Sequence, residues 1–596
     1  MANLSQERRE KMLAFLETLK EQHSDDESLI ALGEIERELK AKKYGLVWEE
    51  HEEAVDVKMR THIPVFTADA SKEIHADPAS ESYNFLLEGD NLHALRLLEK
   101  THRGSIDLIY IDPPYNTGKK DDFIYDDSYV DSLDGFRHSK WLSFMSERLH
   151  IAKNLLSKSG CILISINDAE CAQLKLLCDE IFGEQNFVSM FVWHVSGNTS
   201  NSEKINNVQE YILCYAYDKR NLLINDVVDP NTDKDSKVYK DIDNTIVKNG
   251  YKNPPSTIVL PVGFPCEVEN GRIEADSNIE SFMTEVKAVG YISRDMKGKY
   301  NYNYPVKMDP VIIEDYKLQH ECRMFSGWSN NGKCKQFIDQ GFQPVKESDG
   351  SELSFYLSKN GVIFYKKKKS TYSNIISILE NMGTTQSNKF FLESLGVDFS
   401  FPKPVTLITY LLSIFSTPNA TILDFFAGSG TTGQAVLELN SKEDGSNRRF
   451  ILCTNNENNI CEEVTYQRMR TIMTGIKKDG SEYSEGIPSN LMYFRTDFVD
   501  KESDELSDEL LAHIREMIQL EHGIKIDDRK YVVILTEEEM DEFEENIADY
   551  PDLKAVFINS DIFLSAKQQK MLNDVDSYVI PDYYFDFELR EAGEIW

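Results

Sequence analysis

From residue 83 the chain alternates short apolar runs with amphipathic stretches. Residues 84–88 read as a strand, Gly89-Asp90 as a turn and residues 91–100 as a helix. Residues 105–111, SIDLIYI, and 160–166, GCILISI, are apolar enough to be strands buried on both faces, and between them residues 141–156 form a long amphipathic pattern. The texture changes near residue 190. Residues 191–395 are rich in Asn, Ser, Lys and Tyr, with short apolar runs, many turns and Pro254-Pro255. After Phe401 the first texture returns: a helix over 405–415, a strand over 421–423, a glycine loop, a helix over 434–439 and a strand over 450–453. Strand–helix–strand alternation predicts a doubly wound, Rossmann-like α/β sheet. Its interruption predicts one α/β domain carrying a large insertion.

The ends read differently. Residues 1–50 pattern as two helices. Met12, Phe15, Leu16 and Leu19 share one face of the first, and Leu29, Ile30, Leu32, Ile35 and Leu39 recur in the second, with His23-Ser24-Asp25-Asp26 between them as turn and cap. This helical arm suits packing or oligomerisation. The segment after residue 500 is acidic but holds strand-like runs over 531–535 and 555–558, which predict a small α/β domain. The expected organisation is a helical arm over 1–60, two halves of one α/β domain over 61–190 and 396–500, an insertion over 191–395 and a C-terminal domain over 501–596.

Composition narrows the class. The 596 residues are 41% hydrophobic and 11% aromatic, enough for sizeable cores. No apolar run approaches the roughly 18–20 residues of a membrane span, and the first twelve residues carry neither an apolar signal core nor a cleavage site. The nine cysteines form no CxxC pair, which argues against a metal cluster or a disulfide framework. A cytoplasmic protein without a membrane partner or a bound metal is expected. The net charge of −36 is a point against a nucleic-acid partner, because phosphate contacts need cations. That charge is uneven: residues 501–596 carry about −17 and residues 191–400 only about −2. A near-neutral middle can still touch DNA.

Two loops carry candidate chemistry. Asp112-Pro113-Pro114-Tyr115 follows a buried strand, where open α/β sheets bind ligands. Its prolines remove donors and stiffen the turn. Asp112 and the Pro113 carbonyl are left as acceptors beside an aromatic ring, a set that suits a planar group bearing an NH2. Without the preceding Asp, the buried strand and the following Asn116-Thr117-Gly118, the same turn would read as a rigid bend with a surface tyrosine.

The second loop is Asp424-Phe425-Phe426-Ala427-Gly428-Ser429-Gly430-Thr431-Thr432-Gly433, again between a strand and a helix. Gly428, Gly430 and Gly433 satisfy GxGxxG, alone a weak dinucleotide signal or a glycine turn that packs helix on strand. Gln434 and Ala435 replace the Lys and hydroxyl of a phosphate loop, which argues against a nucleoside triphosphatase. Asp424 repels phosphate and can hold an ammonium group. A cofactor with an α-amino group and no phosphate fits better, and Glu457 lies where an acidic residue can take ribose hydroxyls.

Together the two loops resemble the S-adenosylmethionine-dependent amino-methyltransferases of DNA. DPPY matches their catalytic motif and FxGxG, here Phe426 to Gly430, their cofactor motif. The catalytic motif precedes the cofactor motif, with an irregular segment between, as in the β-group, where that segment is the target-recognition domain. Phe401-Pro402-Lys403-Pro404 resembles the family's extra cofactor-side motif, and Gly89-Asp90-Asn91-Leu92 its upstream element. Length, N-terminal arm, DPPYNTG and acidic C-terminal domain are most similar to the modification subunit of type III restriction–modification systems.

The resemblance implies transfer of a methyl group from S-adenosylmethionine to adenine N6 of a base flipped from duplex DNA, Asp rather than Ser before PPY favouring adenine over cytosine. It casts Asp112, Pro113, Pro114 and Tyr115 as catalytic, and Asp424, Phe426, Gly428, Gly430, Thr431, Glu457, Lys403 and Asp90 as cofactor-binding. It also implies a homodimer and an ATP-dependent restriction subunit as partner. Lys366, Lys367, Lys368 and Lys369 form a basic run suited to the DNA backbone, or simply a solvated face. Tyr300, Tyr302 and Tyr304 near Lys297 and Lys299 could be a nucleic-acid surface or one face of a strand. Pro265-Cys266 resembles the nucleophile of cytosine-C5 methyltransferases, but the loop order is reversed and Cys266 reads as an ordinary cysteine. Methylation of RNA or of a protein amide, a methyltransferase without a restriction partner, and a catalytically idle DNA-binding scaffold remain alternatives.

Overall fold

Continuous apolar runs need cover on both faces, and in this chain they assemble into one sheet. The computed structural model describes residues 4–23, 26–40, 48–49, 51–117, 136–195, 206–580 and 584–592, so Ser24, Asp25 and Gly118 lie outside the described residues. The chain divides into two compact units, Met1–Asn225 with Ser377–Trp596, and Asp226–Ile376.

The strands of the first unit that matter here are β1 (His62–Ala68), β2 (Tyr83–Glu88), β3 (Ile106–Ile111), β4 (Leu156–Ile166), β5 (Phe187–His194), β6 (Gln209–Ala216), β7 (Thr421–Asp424), β8 (Arg449–Thr454) and β9 (Asn490–Asp500). With Ile74–His75 and Ile378–Leu379 they form an eleven-stranded sheet, ordered β1-β9-β2-β8-β7-β3-β4-β6-β5 and then Ile378–Leu379. The centre, β9 to β4, is parallel, and antiparallel pairs flank it: β1 on β9, and β6 on β4 and β5. All-parallel strands require crossovers, and the helices supply them. The doubly wound sheet expected from the alternation is present, but β5 and β6 belong to it although they fall in the stretch read as insertion. β5 is half-buried and lacks the unbroken apolar run that marks a central strand, while β6 is buried from Ile212 to Ala216 but is a short apolar run set behind a polar stretch.

Helices α1 (Leu4–Gln22) and α2 (Asp26–Lys40) pair as a hairpin tied by Lys20 and Glu36. A short α3 (Ala54–Met59) leads into β1. Beyond it come α4 (Asn91–Thr101), α5 (Arg137–Leu155) and α6 (Cys171–Cys178), then α7 (Val405–Phe415), α8 (Thr431–Lys442) and α9 (Tyr466–Thr474). Asp90 caps α4 by accepting from the Leu92 amide at 2.7 Å. In α5, Trp141, Leu142, Met145, Leu149, Ala152 and Leu155 are buried at helical spacing against the sheet. The acidic C-terminal segment folds as a parallel three-stranded sheet, Tyr531–Ile534, Ala555–Asn559 and Asp576–Ile580, with helices between.

The second unit, Asp226–Ile376, is built from three small antiparallel sheets and three helices around its own cores. Its compact span is narrower than the 191–395 insertion read from the sequence, because β5, β6 and the helix Thr385–Ser394 sit in the first unit.

Candidate active site

The site begins with register. β3 and β7 are hydrogen-bonded parallel neighbours, with Leu108 opposite Ile422 and Ile109 opposite Leu423. Both end at the same edge of the sheet, so the loop after Ile111 and the loop after Asp424 emerge side by side. Motifs about three hundred residues apart in sequence are adjacent because the chain enters β7 between β3 and β8 after leaving the second unit.

The Asp112–Tyr115 turn is held from behind. Trp141 Nε1 donates to the Pro114 carbonyl at 2.7 Å, and among the described residues no donor takes the Pro113 carbonyl. Asn116 is fully buried in the left-handed region (φ 56°), which Asn tolerates better than most residues. Its Nδ2 donates to Glu170 and to the Arg137 carbonyl, and His138 Nδ1 lies 2.6 Å from the same Glu170 oxygen. Burial pushes the Glu170 acid up.

At the open side of the turn, the Tyr115 hydroxyl is shared between Asp112 Oδ1 at 2.8 Å and Glu210 Oε2 at 2.9 Å. Burial and these two carboxylates push its ionisation well above the ordinary tyrosine range, so it stays a neutral donor. Lys403 Nζ reaches both Asp112 oxygens, at 2.8 and 2.7 Å, and lies 3.3 Å from Glu210. Lys403 was expected on the cofactor side. Its backbone carbonyl does lie 3.3 Å from Thr431 Oγ1, but its ammonium belongs to the Asp112 cluster. Glu210, at the start of β6, was not found from the sequence. The only trace of it there is a carboxylate leading into an otherwise apolar run, YILCYA.

The second loop is built around Asp424, 2% exposed at the end of β7. Its carboxylate accepts from the Phe426 amide at 3.0 Å and from the Thr432 hydroxyl. No Lys or Arg among the described residues pairs with it, and burial pushes its pKa up to about 7. A buried carboxylate lacking a cation is suited to receive an ammonium group. Gly428 and Gly430 take positive φ (48° and 77°), and a Cβ on Gly430 would lie 3.2 Å from Thr465 Cγ2. Thr465 donates to the Gly428 carbonyl, and fully buried Arg468 holds Ser429, Thr431 and Gln434 from behind at 2.8–3.1 Å. Gln434, at the position of a phosphate-loop lysine, is thus an acceptor for Arg468. Phe426 is buried and packs on Phe144 at 5.8 Å.

Asp90 follows the end of β2, with Arg148 3.6 Å away. Arg148 also donates to Asn91 at 2.6 Å and to both oxygens of Glu53, and Asn91 donates to the Phe425 carbonyl at 3.0 Å. Glu457 lies exposed beyond the end of β8. The fit of an α-amino cofactor therefore rests on Asp424 at the head of the glycine loop, with Asp90 and Glu457 beyond the ends of two further strands.

Other sequence candidates stand apart. In the second unit, Lys367 is tied to Glu347 and Asp349 at 2.7 Å, Lys369 donates to the Val238 carbonyl at 2.8 Å, and Lys366 lies 5.2 Å over the Tyr356 ring. Lys366 and Lys368 are exposed on one face of their strand. Tyr300, Tyr302 and Tyr304 do not form a strand face: their rings surround Phe282 in a local core, and Lys299 pairs with Glu285. Cys266 is buried, with its thiol pushed up to about 11. The described residues contain no cluster able to hold a metal ion and no helix long and apolar enough to cross a membrane.

A family model described as DNA methylase matches residues 106–467. The chain is 31% identical over 422 residues to the StyLTI Mod subunit, a type III restriction-modification enzyme of Salmonella typhimurium, covering 66% of this chain and 56% of that one. It is 29% identical over 482 residues to the EcoPI Mod subunit of Escherichia phage P1, covering 71% and 65%. It is 31% identical over 404 residues to the type II methyltransferase M.KpnI of Klebsiella pneumoniae, covering 65% and 84%. The chain thus spans between half and two thirds of the length of these type III relatives. The matched span runs from the start of β3 into α9 and takes in both loops; the chain belongs to the DNA methylase family, for which S-adenosylmethionine is the cofactor.

Proposed function

We propose that the chain is a site-specific DNA methyltransferase that modifies adenine N6 in duplex DNA, working as the modification and specificity subunit of a type III restriction–modification system. The observation that carries this reading is the β3–β7 register, which sets the Asp112–Tyr115 turn beside the Asp424 loop.

An exocyclic amine is a poor nucleophile because its lone pair is delocalised into the ring. Asp112 and the Pro113 carbonyl accept its hydrogens and turn the lone pair out of the ring plane. Trp141 makes this possible by fixing the Pro114 carbonyl and with it the turn. Tyr115 offers its ring to the flipped base, a contact worth about 1–3 kcal/mol in comparable stacks. Bound S-adenosylmethionine supplies an electrophilic methyl on a sulfonium. Asp424 holds the ammonium end of the cofactor, and Gly428 and Gly430, at positive φ, shape the loop that follows it. Acceleration then comes from positioning and fixed electrostatics, with no covalent intermediate on the protein.

The second unit is assigned to target recognition, with Lys366 and Lys368 on the DNA backbone. A homodimer and an ATP-dependent restriction partner are part of the proposal. A second reading, a methyltransferase acting without a restriction subunit, is favoured by the larger share of M.KpnI that the chain matches. Expression in a methylation-deficient bacterium, followed by mapping of modified bases across its genome, tests the proposal. N6-methyladenine confined to one short sequence is expected. Unmodified DNA, or modified cytosine, would overturn it. Co-purification with a co-expressed restriction subunit separates the two readings.

A further inference from the structure

The acceptor end of the catalytic turn already holds a cation. Lys403 places its ammonium on both oxygens of Asp112, within 3.3 Å of Glu210 and 4.9 Å from the centre of the Tyr115 ring. It therefore covers the two features a target amine has to find, the carboxylate that takes its hydrogens and the ring on which its base stacks. Lys403 is 11% exposed, and burial alone would favour the neutral amine. Asp112 and Glu210 reverse that and keep it charged. An ammonium has three hydrogens, and here they face Asp112 Oδ1, Asp112 Oδ2 and Glu210.

We propose that Lys403 is a displaceable placeholder for the target amine, and that Glu210 is the positioning residue that receives it. When an amine engages Asp112, the ammonium shifts its hydrogen bonds to Glu210, and Tyr115 stays fixed because its hydroxyl is shared between the same two carboxylates. The short difference between 2.7 and 3.3 Å means that the ammonium changes partner without leaving the site. Without Glu210, a charge buried to this degree would have only an aromatic ring to turn to, and would stay on Asp112 in competition with the substrate. The inference rests on Asp112 being the acceptor of the target amine.

The test uses the full chain and a duplex carrying its mapped site. It reads kcat and KM for DNA separately, beside equilibrium binding of S-adenosylmethionine. Activity of the native chain and its loss in Asp112→Ala test the underlying reading independently of Lys403 and Glu210. Glu210→Gln is expected to raise KM for DNA about tenfold with a smaller effect on kcat, since the ammonium is then committed to Asp112. Glu210→Asp, which keeps the charge and shortens the reach, is expected to fall between the two. Lys403→Met is expected to lower kcat about tenfold, since Asp112 and Glu210 then face each other without a cation.

The double variant Lys403→Met/Glu210→Gln removes placeholder and receiver together. It is expected to recover about tenfold in kcat/KM over either single variant, a coupling that independent structural damage does not produce. S-adenosylmethionine affinity should stay within about twofold in all four variants. A double variant no better than the poorer single one overturns the proposal. So does an unchanged KM in Glu210→Gln, or a large loss of cofactor binding in Lys403→Met.

Discussion

Asp424 is a carboxylate buried at a strand end with hydrogen bonds but, among the described residues, no cation, and burial pushes its pKa from the ordinary 3.8 up to about 7. Because its pKa is raised, the native chain binds more protons than the unfolded one between those values. Its contribution to stability in the ligand-free protein therefore falls as pH rises through that window. Ligand binding has the opposite sign, because an ammonium group requires the ionised carboxylate. Affinity for S-adenosylmethionine is expected to rise about fivefold from pH 6 to pH 7 and to fall again above about pH 8, where the ligand's own α-amino group loses its proton. In Asp424→Asn it should be weaker and flat across the same range. Isothermal titration at several pH values reads both effects; a flat profile in the native chain would remove Asp424 from the ammonium site.

At the scale of elements, the cofactor loop is braced by helices that lie outside it. Arg148 on α5 is fully buried and joins Glu53, before α3, to Asn91 on α4, and Asn91 reaches the Phe425 carbonyl. Arg148→Met would leave Glu53 buried without its partner. The expected loss of stability is about 3–5 kcal/mol, read from the urea midpoint, with partial recovery in Arg148→Met/Glu53→Leu. Loss below about 1 kcal/mol would mean that the pair is not buried in solution.

Such bracing shows what the sequence could and could not disclose. β3, β7, β8 and α7 were legible because central parallel strands and a buried helix demand unbroken apolar runs. Asp112 and Asp424 were legible because strand ends are where such sheets act. Glu210 and Arg468 were not, since each is a single polar residue whose role depends on a partner elsewhere in the chain. β5 and β6 were missed for a related reason: β5 is half-exposed at the flank and β6 is a short buried run set among polar residues, so both resemble the irregular segment around them. Lys403 was placed on the cofactor side by the resemblance of Phe401-Pro402-Lys403-Pro404 to a family motif, while its long side chain reaches Asp112.

For the whole molecule, the net charge of −36 restricts where DNA can lie. The lysine run in the second unit is less available than its composition implies, since Lys367 is neutralised by Glu347 and Asp349. Replacing Lys366 and Lys368 with alanine is expected to weaken DNA binding and to reduce the salt slope by about 0.9 for each phosphate no longer neutralised. Lys367→Ala should leave that slope unchanged. Equal effects from all three would show that the exposed face of this strand does not distinguish them.

The most direct measurement is methyl transfer from labelled S-adenosylmethionine to mixed-sequence duplex DNA, followed by nucleoside analysis, for the native chain and Asp112→Ala. The account predicts label in N6-methyladenine with the native chain, and a loss of at least about 10³-fold in Asp112→Ala, roughly 4 kcal/mol of transition-state stabilisation, with cofactor binding retained. Label in another nucleoside, or undiminished transfer by Asp112→Ala, would contradict it.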